Sequence, residues 1–109
     1  MALPLNVFKT VTRIASTSPV GIYTAPVGYS GVVLLAQAAN ISSDTKTISF
    51  SHKRSSTTTE IVKDLAIQGN DSTSLLFGKL VLESGDSLVL SASDATNIKF
   101  IGSVLETLN

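Results

Sequence analysis

Apolar and polar positions alternate along most of this chain, and the period is two. Ile48 and Phe50 fall on one side of a stretch whose other side is Thr47, Ser49 and Ser51, which predicts a strand with one buried and one wet face. Ile98, Phe100, Gly102 and Val104 repeat that pattern near the end. Val7 to Ala15 holds the β-branched residues Val7, Thr10, Val11, Thr12 and Ile14 and predicts a first strand, broken by Ser16 to Gly21. A short second strand, Ile22 to Thr24, stops at Pro26, which lacks a ladder donor. Val32 to Ile41 is apolar without alternation and reads as a strand covered on both faces or a short helix; Gly31 and Asn40 favour the strand. Thr57 to Ile67 puts Thr59, Ile61, Lys63, Leu65 and Ile67 on alternate positions. A helix from Thr59 to Ile67 competes there, and the run Thr57-Thr58-Thr59 argues against it.

The clearest local unit runs from Lys79 to Ala92. Leu80 and Leu82 share one face, Leu88, Leu90 and Ala92 another, and Glu83-Ser84-Gly85-Asp86 supplies a reversal, so this stretch predicts a β-hairpin. About eight short strands separated by Gly, Pro, Asn, Asp and Ser clusters predict an all-β fold. We expect a single antiparallel β-sandwich, Ig-like or jelly-roll in type, over residues 7–109, behind an N-terminal arm of residues 1–6.

Composition narrows the function. Zero net charge and 15% charged residues count against nucleic acid as a partner, because displacing counterions needs a basic excess. With 16 Ser and 12 Thr the exterior is hydroxyl rather than ionic, and weak self-repulsion favours association, so a homo-oligomer is expected. Absence of cysteine removes disulfides, thiol nucleophiles and thiolate metal sites. No apolar run approaches the roughly 20 residues of a membrane helix, and the opening Met1 to Leu5 lacks a basic start and a long apolar core.

Chemistry is sparse. Gly85-Asp86-Ser87-Leu88 spells the signature of a family of serine esterases, yet it sits late, in an all-β pattern, with no histidine after it; a serine without a base is a poor nucleophile. His52 is the single histidine and, beside Lys53 and Arg54, reads as a solvated strand end. Asp44, Asp71, Glu83, Asp86 and Asp94 read as turn and capping residues. The phenylalanines read as core, whereas Tyr23 and Tyr29, in or beside turns, are candidates for a contact surface, as are Leu3 and Leu5 of the arm. No cofactor and no metal site is expected.

The order of several pieces is informative. Ile22 to Pro26, an apolar strand ending at Asn40, the alternating Thr47 to Phe50, then Gly78 to Leu88 and a closing Ser103 to Glu106 together resemble the small virion structural proteins of tailed bacteriophages, particularly those of marine bacteria and cyanobacteria. The resemblance implies a β-sandwich without catalysis that occupies repeated positions on a virion assembled in the host cytoplasm. Capsid decoration, neck, and tail or baseplate all fit it, with other virion proteins as partners. A carbohydrate-binding module is the alternative, with Tyr23 and Tyr29 as its only aromatic candidates.

Overall fold

The computed structural model describes residues 6–109, and its nine strands lie in two antiparallel sheets with no helix among them. The strands are β1 (Asn6–Ile14), β2 (Val20–Thr24), β3 (Tyr29–Asn40), β4 (Lys46–Arg54), β5 (Thr57–Ile67), β6 (Asp71–Ser74), β7 (Leu80–Leu82), β8 (Ser87–Ala92) and β9 (Ile98–Leu108). The first sheet has the order β1-β9-β3-β6, with β7 also pairing β3; the second has the order β2-β8-β4-β5. Both stretches that left a helix open, within β3 and β5, are strands.

The pairings nest. β1 pairs β9, β2 pairs β8, β3 pairs β7 and β6, and β4 pairs β5. The chain is thus one long hairpin, its tip at Ser55 (φ 54°) and Ser56, folded over and rolled into two sheets. That winding defines a jelly roll and excludes the Ig-like alternative. Rolling adds two further ladders, β3 with β9 and β4 with β8.

Between the sheets the alternating apolar residues form one core. Ile48 and Phe50 of β4, and Leu88 and Leu90 of β8, meet Val33 of β3 and Ile98, Phe100 and Val104 of β9, all buried. Phe50 and Phe100 pack ring to ring across the sheets, centroids 5.5 Å apart. Two phenylalanines expected inside are outside: Phe8 is 74% exposed and Phe77 94%. Phe8 lies on the outward side of an edge strand, and Phe77 lies in the connection between β6 and β7, outside either strand.

The stretch Lys79 to Ala92 is not a hairpin. β7 joins the first sheet and β8 the second, so Glu83 to Asp86 is a corner that carries the chain between layers. A turn is present, with the Asp86 amide donating to the Glu83 carbonyl (2.9 Å) and Gly85 at φ +86°. Reciprocal bonds then tie it to the end of β2: the Gly85 amide donates to the Ala25 carbonyl (3.0 Å), and the Ala25 amide to that of Asp86 (2.9 Å). Alternation marks both strands correctly but contains nothing about which neighbour each will pair with.

At the opposite corner Asn40 is buried and fully engaged. Its Nδ2 donates to the carbonyls of Asp44 (2.7 Å) and Ile67 (2.9 Å), and its Oδ1 accepts from the amide and hydroxyl of Ser42. Gly69 passes so close that an added Cβ would lie 2.4 Å from the Ser43 carbonyl oxygen.

Leu90→Ala, which opens a cavity in the sealed core, is expected to destabilise by about 2–5 kcal/mol in urea unfolding. Ser87→Ala loses one exposed hydroxyl contact, to Thr24 (2.8 Å), and is expected to shift stability by less than about 0.5 kcal/mol. The reverse order would contradict this account of β8.

Candidate functional site

Asp86 is the polar centre of the turn corner. Its carboxylate is 2% exposed and accepts from Arg54 Nε (2.9 Å) and Nη2 (2.7 Å) and from the Glu83 amide (3.0 Å); His52 Nε2 lies 3.0 Å from Oδ2. Arg54 also reaches Glu83 at 3.0 Å. The bonds from Arg54, with those from His52 and Glu83, outweigh burial and hold the Asp86 carboxyl well below the usual carboxylate range. His52 is therefore not a solvated strand end, and Asp86 is a structural anchor as well as a turn residue.

This arrangement does not assemble a serine–histidine pair. Ser87 opposes Lys53 in the ladder and shares with it the outward face of the second sheet, whereas His52 opposes Leu88 and turns toward Asp86 at the inner edge. The hydroxyl of Ser87 meets Thr24 instead. Among the described residues no group of three or more His, Cys, Asp or Glu side chains is placed to hold a metal ion.

The two proposed contact tyrosines have different settings. Tyr23 is half-buried, its ring against Gly31 and its hydroxyl donating to Glu106, which also pairs with Lys9 at 3.1 Å. Burial first, then the bond to Glu106, pushes the Tyr23 phenol above its ordinary value. Tyr29 opens β3, half-buried, and donates its amide to the Pro26 carbonyl. Leu3 and Leu5 lie outside the described residues.

The larger feature is a difference between the two outer faces. The second sheet presents Ser49, Ser51, Lys53, Glu60, Lys63 and Asp64 around a polar groove of about 550 Å³. On the first sheet the register sends Phe8, Ile14, Ile101, Leu105, Leu35 and Val81 outward, among Thr and Ser side chains. Five of these are large apolar residues with substantial exposure, from Leu35 at 41% to Phe8 at 74%. Lys99 is the single charged strand residue that the register puts on this face. A depression of about 680 Å³ sits at its Ile14 end, lined in part by Thr12, Arg13, Gln37, Ala39, Lys99 and Ile101.

Sequence reading had passed over this face. The signal lay in β9, where Ile101 and Leu105 interleave with the buried Ile98, Phe100 and Val104: a strand apolar on both sides implies cover on both sides. In β1, Phe8 and Ile14 sit two and four residues to either side of Thr10 in the outward row, a pattern too thin to assign without the register.

No protein-family model matches the chain, and no curated protein matches it in sequence. Solved structures do. A chain of the acid-stable capsid of Helicobacter pylori bacteriophage KHP30 is similar in fold, with a TM-score of 0.58 and 13% identity over 96% of this chain and 89% of that one. A chain of the T13 IBDV viral particle gives a TM-score of 0.56 and 9% identity over 97% of this chain and 32% of that one. At these identities the likeness is one of fold.

The depressed carboxyl of Asp86 sets a pH dependence. A group whose value is lower folded than unfolded stabilises above the unfolded value, about 3.9, and that contribution fades as pH falls toward the folded one. Asp86→Asn is expected to cost on the order of 2 kcal/mol at pH 7. Urea unfolding of both forms should show the gap narrowing from about pH 5 downward; a gap constant to pH 3 would rule out the anchor.

Proposed function

We propose that this protein is a non-enzymatic structural component of a virion, a repeated exterior or assembly protein of a tailed bacteriophage. The observation that carries the reading is the outer face of the first sheet of the jelly roll, where Phe8, Ile14, Leu35, Val81 and Ile101 are exposed. Five large apolar side chains exposed on one face are more than the scattered single ones that a soluble surface ordinarily carries. The fold likeness to chains of viral particles supports the same reading, because those comparisons span nearly all of this chain. Capsid decoration, neck, and tail or baseplate all make use of such a body: rigid, free of cysteine and independent of redox state.

The physical logic is economical. A jelly roll buries its inner faces by itself, so an outer face that remains apolar is available for neighbours. Polar cover on the second sheet, with serines, lysines and acids around its groove, suits the side that meets solvent.

Mass spectrometry of density-purified particles, and of separated heads and tails, tests the role. The expected result is this chain in the particle fraction at many copies per virion. Its absence from intact particles, heads and tails alike would overturn the proposal.

A further inference from the structure

We infer that the outer face of the first sheet binds a second copy of this chain, face to face, with Phe8 of each copy seated in the depression of the other. The inference takes its setting from the structural role proposed above and names the occupant of the same surface.

Shape is the first argument. Phe8 stands out at one end of the face, beside Leu105, and the depression lies at the other end, beside Ile14 and Lys99. Phe8 and Ile14 are six residues apart on one extended strand, roughly 20 Å, so a chain's own Phe8 cannot fill its own depression. A two-fold axis lying in the interface and crossing the strands near Thr10 exchanges the two ends. Each protruding ring then meets the other copy's depression, the self-complementarity that an isologous pair requires.

Charge is the second. Lys99 is the one charged strand residue that the register turns outward on this face, and Arg13 adds a second cation at the depression, so charge is confined to that end. Over the rest of the face the outward side chains are uncharged, and another copy of that surface matches them. Eight basic and eight acidic residues leave no net charge to hold two copies apart. Within the pair, Lys99 comes to lie beside the partner's Phe8 ring, where an ammonium group is favourable.

Area is the third. Three long strands, β1, β9 and β3, and the short β6 and β7 beside β3, spaced about 4.8 Å, cover roughly 500–600 Å² per copy and roughly 1,000–1,200 Å² in a pair, the lower end of the range for specific interfaces.

The chain contains no cysteine, so a single introduced one reports cleanly. Thr10→Cys, near the axis, is expected to yield a covalent pair with a short bis-maleimide, and Lys53→Cys, on the second sheet's outer face, is not. Sedimentation should give the native protein the mass of two chains. Phe8→Ala should weaken the pair tenfold or more, and Ile101→Lys should return it to one chain with unchanged circular dichroism. If Ile101→Lys fails to fold, Thr10→Arg tests the same surface at an exposed position. A native mass of one chain at sub-millimolar concentration, or a pair that survives these charges, overturns the inference. Absence from particles would instead overturn the proposed function and leave the pair standing.

Discussion

Burial of the two inner faces against each other is the interaction on which this structure depends. Every connection except β4–β5 and β6–β7 changes sheets, so the chain has few local hairpins to lean on. What holds β9 over β4 is apolar contact between Phe100 and Phe50 and among the aliphatic side chains around them. Such contacts are distant in sequence: β1 pairs β9, at opposite ends of the chain, before either can be useful. Folding therefore has to close long loops before burial repays it, the regime in which β-proteins fold slowly.

Three of the buried polar residues, Asp86, Asn40 and Glu106, tie separate segments of this body together. Asp86 ties the β7–β8 turn to β4, Asn40 ties the β3–β4 loop to the end of β5, and Glu106 draws together β9, β1 and β2 through Lys9 and Tyr23. Among the described residues no buried side-chain polar atom lacks a partner. Each cluster acts between strands that apolar packing has already brought close, and it gives the corner one geometry where a hydrophobic contact would accept several. The Gly-Asp-Ser-Leu string belongs to this group: its glycine makes the turn, its aspartate anchors it, and its leucine enters the core.

The two outer faces of the body differ in character. One is covered with hydroxyls and charges of both signs, the other with Phe8, Ile14, Leu35, Val81 and Ile101. Large apolar side chains exposed on one face gain from being covered, whereas the charges and hydroxyls of the other are well solvated. The single histidine lies against the structural carboxylate of Asp86.

The amino-acid order by itself determined most of the strands, but not β6, whose Asp71 to Ser74 is wholly polar and reads as a turn. Period-two alternation, β-branched runs and the breakers at Pro19, Pro26, Gly69 and Gly85 are local properties, legible wherever a strand has one buried side. They yielded the all-β class, the two-layer sandwich and most of the core, including Ile48, Phe50, Leu88, Leu90 and Phe100. Partnership belongs to the tertiary structure. Only the roll shows that β7 and β8 lie in different sheets, that His52 and Arg54 of β4 converge on Asp86 some thirty residues away, and that Phe8 and Ile101 share an uncovered surface. The physical reason is that alternation states which side of a strand is apolar, while the pairing register, set by contacts between distant segments, decides which apolar sides are buried and which remain free to bind.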